Sequence, residues 1–409
     1  MDIVDNNVNS NRYINTNSKR HVSLSNNIAY WLKIDVKNIN KENKLIVNMY
    51  KKILNQKDID VLIKCTEYNA NIVPILYQFD YFDIQTLMNK AIEYANVYMI
   101  KHINKHVKID CKLIVKLIEK FCMSGHIDIV KYLYQEIKLT KHNWLLNKTS
   151  LANSCQWTCY FGHINIVKYL HQEIGLTKQD FQSDDNLACL WACENDYLDV
   201  VKYLHQEIGL TKEDFQSDNN YACRWACYYG HVDVVKYLHK YIGLTKQDFQ
   251  SDNNCAFRLT CENGRINVVK YFHKEIGFTK DDFQFNYACQ ETNQLISKNS
   301  LASFCQSACS YGYIDVVEYL HREFGLTKNE ACQKTNWLLN ENSSVSSCQL
   351  ACYFGRIDVV QYLHKEIGLT KDDFQSEDNF ACKWACFYGY IDVVKYLRED
   401  IGLTTQDFQ

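Results

Sequence analysis

The chain has 409 residues, 47% of them hydrophobic, and a formal net charge of -3 at pH 7. That apolar content suffices for a continuous core, and the near-balanced charge excludes a general electrostatic drive toward nucleic acid or an anionic membrane. No uncharged apolar run approaches the length that spans a bilayer, and the start Met1-Asp2-Ile3-Val4-Asp5-Asn6-Asn7 lacks a basic flank followed by an apolar core. The 19 cysteines are spread over a long chain rather than packed into a small secreted frame, which favours reduced thiols. The expectation is an intracellular, cytoplasmic protein with no membrane and no nucleic-acid partner.

Residues 1–25 are polar and rich in Asn and Ser, so a disordered lead-in is expected. From Ile28 to Lys64 the residues Trp31, Leu32, Leu45, Ile46, Met49, Ile53, Leu54, Val61 and Leu62 fall mostly at helical spacings. This predicts a helical cap over 26–64, which a stacked array needs to cover its first face. Residues 65–120 are expected to hold two weaker copies of the unit that follows. Asn96–Ile103 overlays His126–Leu133, and Asn71–Leu76 overlays it less well because Pro74 removes a helix hydrogen bond.

The stretch Gly230-His231-Val232-Asp233-Val234-Val235-Lys236-Tyr237-Leu238 recurs, nearly letter for letter, down the rest of the chain. Its first position is Gly125, Gly162, Asp196, Gly230, Gly264, Gly312, Gly355 and Gly389, giving steps of 37, 34, 34, 34, 48, 43 and 34. A fixed period marks a repeat array rather than separate globular domains. These positions number repeats 1 to 8 below.

Residues 212–245 form one complete unit. A first helix is predicted over about Tyr221–Tyr229, started by Asp218, Asn219 and Asn220 and closed by Gly230. A second is predicted over about Val232–Ile242, with Asp233 at its positive end and His239 and Lys240 at its negative end. Val234, Val235, Leu238 and Ile242 make one apolar stripe, which only a neighbouring repeat can bury. In Gly243-Leu244-Thr245-Lys246-Gln247-Asp248-Phe249 the glycine stops the helix, and Thr245 with Asp248 predicts a short helical turn. Three connectors are long, at 141–154, 282–304 and 330–347. The related segments Asn143–Asn147 and Asn336–Asn340 mark them as an inherited insertion, either a binding loop or a tolerated surface loop.

In this unit Tyr221-Ala222-Cys223-Arg224, Ala226-Cys227, Tyr228-Tyr229, Gly230-His231 and Val232–Leu238 resemble the ankyrin repeat over residues 121–409, about 70% of the chain. The style of the copies is similar to ankyrin proteins of giant DNA viruses of amoebae. The resemblance implies an all-α, helix-pair solenoid with a 34-residue period and an N-terminal helical cap. Three departures stand out: the Thr-Pro start is lost, the period is 34 rather than 33, and Gly-Leu-Thr-Lys-x-Asp-Phe replaces the usual hairpin sequence. They leave open whether the connector is a β-hairpin or a helical turn. A 34-residue period also suits tetratricopeptide repeats, but their Trp and Ala/Pro positions are absent.

Few features point to chemistry. Cys155/Cys159, Cys189/Cys193, Cys223/Cys227, Cys305/Cys309, Cys348/Cys352 and Cys382/Cys386 share an i, i+4 spacing. Each pair runs along one helix without a Cys-x-x-Cys knuckle, so they read as buried core thiols rather than zinc ligands. A histidine column, His171, His205, His239, His273, His321 and His364, closes the second helices, spaced too widely to share one metal. Lys101, Lys105, Lys108, Lys112 and Lys116 read as a solvated face rather than a phosphate site. No phosphate loop and no nucleophile with a base and orienter is present, so no cofactor, metal or catalytic residue is expected.

The two free positions before each glycine are aromatic in most copies: Tyr160/Phe161, Tyr228/Tyr229, Tyr353/Phe354 and Phe387/Tyr388, with Tyr311 in another. Trp157, Trp191, Trp225 and Trp384 lie one helical turn earlier. The resemblance implies that the free positions point at a concave groove, and with Arg224 they are the candidate partner-binding residues. Exposed Tyr offers large contact area at small entropic cost. The other reading has the rings packing grooves between repeats. The expected function is a monomeric, non-catalytic scaffold for a protein partner, a host protein if the chain is viral. A ubiquitin-ligase substrate receptor and a structural virion protein are alternatives. The first requires an F-box-like start, and residues 20–60 show none.

Overall fold

The computed structural model describes residues 88, 91, 96–106, 118, 120–139, 148–283, 300–336 and 344–408. The expected lead-in, the cap over 26–64 and the copy around Pro74 lie outside them. The chain divides into two compact units, residues 1–154 and 155–409. In the first, helices Val97–His106 and Ile127–Gln135 bury Ile100, Ile103, Ile129, Val130 and Leu133. Asn104 Nδ2 donates to the Tyr132 hydroxyl at 3.1 Å, and Lys101 Nζ lies 5.0 Å from that ring's centroid.

Among its described residues the second unit, 155–409, is all-α apart from one two-residue antiparallel pair, and it stacks helix pairs on the 34-residue period. Repeat 4 shows why. Its first helix, Ser217–Tyr229, buries Ala222, Cys223, Ala226 and Cys227. Small side chains at i, i+1, i+4 and i+5 give one narrow face, and on it the first helices of consecutive repeats lie side by side. Gly230 closes the helix at φ 84°, its N–H donating to the Ala226 and Cys227 carbonyls. The glycine is required twice over: the left-handed turn disfavours a Cβ, and a Cβ there would stand 2.7 Å from Arg265 Cδ of repeat 5.

The second helix, Val232–Tyr237, winds wider as a π-turn over Leu238–Ile242 and ends at Gly243. Val234, Val235, Leu238 and Ile242 are buried as their spacing predicts, together with Tyr237. The connector is a helical turn, Lys246–Phe249, which settles the open question against a hairpin finger in this copy. The Thr245 N–H and hydroxyl both donate to Asp248 Oδ2, at 2.6 and 2.8 Å. Phe249 is driven into the core below.

Two expectations are corrected. Asp218, Asn219 and Asn220 do not cap the first helix from extended backbone; they form a left-handed turn at φ 50°, 53° and 59°. Asp184–Asn186, Asp252–Asn254 and Glu377–Asn379 do the same. Asn and Asp tolerate this region better than other side chains, which explains why the cluster recurs in that composition. The long connectors are also shorter than their sequence suggests. Lys148–Tyr160 is helical from inside the first, Leu301–Tyr311 begins inside the second, and the third pairs Thr335–Asn336 with Ser344–Val345.

Candidate partner-binding face

The junctions between repeats are built from three ladders, each rung joining one repeat to the next. His171, His205, His239, His273, His321 and His364 place Nδ1 at 2.9–3.0 Å from the hydroxyls of Tyr203, Tyr237, Tyr271, Tyr319, Tyr362 and Tyr396. The histidine column is therefore a set of inter-repeat hydrogen bonds, where the sequence suggested a helix-dipole role. Burial lowers the pKa of His205 and His239, favouring the neutral imidazole, and raises Tyr271 to about 12 with help from Glu275. The tyrosine column was missed from sequence, although most histidines have a tyrosine 32 residues on.

A second ladder runs from glutamine to the carboxylate of the next connector: Gln182 to Asp214, Gln216 to Asp248, Gln250 to Asp282 and Gln375 to Asp407, at 2.6–2.9 Å. A third sets Lys212 and Lys246 at 2.7 Å from Asp248 and Asp282, and Lys328 at 2.9 Å from Asp373. Burial alone would raise Asp214, Asp248, Asp282 and Asp373, but the Thr donors of each connector together with the ladder lysines and glutamines outweigh it and hold all four below the usual carboxylate range. The ladders lock the helix pairs in register, so the helix ends are presented on a fixed support.

The cysteine pairs are core thiols, unpaired as disulfides. Cys305 Sγ and Cys309 Sγ lie 3.7 Å apart, and burial pushes Cys348 up to about 11. A thiol raised in this way is a poor nucleophile. Cys386 departs from the expected burial: it is exposed. Among the described residues no three His, Cys, Asp or Glu side chains converge to hold a metal ion. There too, no helix is long and apolar enough to cross a membrane.

The free positions form the face of interest. Phe161 is 36% exposed, Tyr229 40%, Tyr311 52%, Phe387 75% and Tyr388 44%, whereas Tyr160, Tyr228, Tyr353 and Phe354 are half-buried. In repeats 2 and 4 the second position of the pair is held between two other rings. Tyr229 stacks on Trp225 and His231, both at 5.8 Å, and Phe161 lies parallel to Trp157 at 5.9 Å and His163 at 6.2 Å. In repeats 2 and 7 the first position reaches the neighbouring repeat: Tyr160 meets Trp191 edge-on at 5.3 Å, and the Tyr353 and Tyr388 hydroxyls are 2.9 Å apart. The tryptophans are half-buried and back the exposed rings. The aromatic stripe thus divides into rings packed between repeats and rings open to solvent. Arg224 is not part of this cluster; its guanidinium donates to the Asp218 carbonyl at 2.9 Å and lies 3.5 Å from the Asp252 carboxylate.

Repeat 3 breaks the pattern with Glu194, Asn195 and Asp196. Asp196 keeps the left-handed φ of 64° that glycine takes in the other repeats. Glu194 accepts a hydrogen bond from the Tyr221 hydroxyl at 2.9 Å, and this contact holds the Tyr221 hydroxyl protonated after burial has already raised its pKa.

Among curated proteins, none matches the chain. A family model described as ankyrin repeats, three copies, matches residues 119–214 and 189–283. The paired helices, the glycine closure and the inter-repeat stacking found across that span recur through repeats 6 to 8. Residues 119–283 are thus similar to ankyrin repeats, and the same helix-pair architecture continues to residue 408.

Proposed function

We propose that the protein is a non-catalytic scaffold that binds a protein partner through the ends of its first helices. The observation that carries this is the row of exposed rings, Phe161, Tyr229, Tyr311, Phe387 and Tyr388, several braced by half-buried aromatics. Rings already fixed by stacking lose little entropy on binding, and aromatic anchors dominate protein interfaces. Tyr241 is also exposed, but it stacks on Tyr237 of the second helix and stands apart from this row. The unpaired thiols agree with a reducing, intracellular location. The sequence's resemblance to giant-virus ankyrin proteins is what supports a host protein as the partner.

The test is affinity capture from amoebal lysate with the wild type and a variant carrying Phe161, Tyr229, Tyr311, Phe387 and Tyr388→Ala, matched in helical circular dichroism. One protein captured by the wild type and lost with the variant is the expected result. Equal capture by both removes the aromatic face from the function.

A further inference from the structure

We propose that the junctions of repeats 4 with 5 and 6 with 7 form a two-point subsite for an acidic segment of the partner, its carboxylates held by the Arg265 and Arg356 guanidiniums beside Tyr229 and Tyr311. This rests on the protein-binding reading above and names the chemistry of what is bound. Both arginines directly follow the glycine of their repeat and are placed alike. Arg265 Nε donates to the Tyr228 carbonyl at 3.0 Å, and its Cδ is the atom closest to where a Cβ on Gly230 would stand. Arg356 Nε donates to the Ser310 carbonyl at 3.0 Å, and its Cδ has the same relation to Gly312. Each side chain therefore brackets the residue between that carbonyl and that glycine, and those residues, Tyr229 and Tyr311, are 40% and 52% exposed. Among the described residues neither arginine pairs with a carboxylate. Their Nη groups have no partner there and are not buried, so two half-buried guanidiniums, each fixed to the backbone through Nε, turn their outer donors to solvent.

A third junction, between repeats 3 and 4, shows what the other two lack. There the arginine's place is taken by His231, whose Nε2 lies 2.8 Å from the Glu194 carbonyl, and Asp196 replaces the glycine and sets its carboxylate 3.7 Å from His231 Nδ1. Where the chain puts an imidazole it also supplies a carboxylate. Where it puts arginine, the permanent cation, Gly230 and Gly312 stand in that carboxylate's place. Arg224 and Arg258 show the paired alternative, 3.5 Å from Asp252 and 3.0 Å from Glu262. The counter-charge missing at Arg265 and Arg356 is left for a partner to provide. The tyrosines suit the same ligand. Trp225 and His231 cover both faces of Tyr229, which leaves its rim and hydroxyl, the electropositive part of the ring. Neither the Tyr229 nor the Tyr311 hydroxyl makes a hydrogen bond among the described residues. A carboxylate meeting a fixed guanidinium gains charge-assisted hydrogen bonds, bidentate where the fork allows. Packed helices lie about 8–10 Å apart, so the two arginines, two repeats from each other, are roughly 20 Å apart, the reach of about six extended residues. Two separate cations in a chain of net charge -3 do not make the run of phosphate contacts that a nucleic acid requires.

The experiment titrates the full chain with a twelve-residue peptide of alternating Glu and Gly, its Gln-Gly counterpart, and a twelve-nucleotide oligothymidylate, read by isothermal calorimetry at two salt concentrations. The Glu peptide is expected to bind, to weaken at high salt, and to lose at least about tenfold as the Gln-Gly form. Arg265→Gln and Arg356→Gln are each expected to weaken it roughly five- to tenfold, with circular dichroism unchanged. Arg265→Lys keeps the charge but not the Nε bond to the Tyr228 carbonyl, and is expected to weaken binding only about two- to threefold, which a purely structural arginine would not allow. Arg224→Gln makes the same change of net charge at a paired arginine and is expected to change nothing. No binding of the Glu peptide, equal losses for Arg265→Gln and Arg224→Gln, a loss for Arg265→Lys as large as for Arg265→Gln, or tighter binding of the oligonucleotide through the same arginines overturns the proposal. If the peptide fails while capture of a protein still depends on the aromatic row, the acidic-segment subsite falls and the scaffold reading stands.

Discussion

Replacing Asp373 by Asn tests whether the connector carboxylates hold the array together. Asp373 Oδ2 accepts from the Thr370 N–H at 2.6 Å and the Thr370 hydroxyl at 2.8 Å, and lies 2.9 Å from Lys328 Nζ of repeat 6. Burial would raise this carboxyl, but the donors bring it down from 3.8 to about 2. That difference corresponds to about 2.5 kcal/mol in favour of the ionised folded form. The side chain keeps 21% of its surface exposed, so solvent screening reduces the effect to about 1–2 kcal/mol. A carboxyl with a depressed folded pKa stabilises fully above its unfolded value, and the contribution is lost as pH falls from about 4 toward 2. Asp373→Asn should therefore lower the thermal midpoint at pH 7 by about 2–8 °C, and its difference from wild type should close near pH 2. Circular dichroism melts across that range, with Asp372→Asn as an exposed neighbouring control, provide the measurement. No loss at pH 7, or a loss of the same size at pH 2, would refute the reasoning.

Gly162 and Gly175 both have left-handed backbone, but a Cβ on Gly162 would stand 2.2 Å from the Tyr197 ring, whereas Gly175 has open space. Gly175→Ala should cost about 1 kcal/mol and Gly162→Ala clearly more, read as denaturation midpoints. Phe257 is fully buried against Phe272, Phe278, Phe283, Phe304 and Phe324, so Phe257→Ala should cost about 3–5 kcal/mol by the same assay. Tyr271→Phe keeps the ring but removes the hydroxyl beside His239. It should cost about 1 kcal/mol and leave the helical content at 222 nm unchanged.

The repeat, its period and its helix pair were legible because they depend on local rules. The Val234, Val235, Leu238 and Ile242 stripe is a 3.6-residue period, Gly230 and Gly243 mark left-handed closures, and Thr245 with Asp248 predicts the turn that forms. The candidate face was legible in part. The free positions could be counted from each glycine, but sequence does not say that Tyr160 turns to Trp191 while Phe161 keeps its edge in solvent.

What tertiary structure alone decided are the contacts that cross a junction. His239 looks like a helix-end cation until the next repeat brings Tyr271 to 2.9 Å, and Asp218, Asn219 and Asn220 look like a cap until stacking holds them left-handed. Glu194 and Glu262 are the same residue at the same position in two repeats. Only packing shows that one carboxylate is paired with Arg258 while the other accepts from the Tyr221 hydroxyl, its backbone carbonyl lying 2.8 Å from His231 Nε2. The physical reason is range: backbone propensity and amphipathic period act within one or two helical turns. The partner of a polar side chain here is set by the stack, about 32 residues away along the chain.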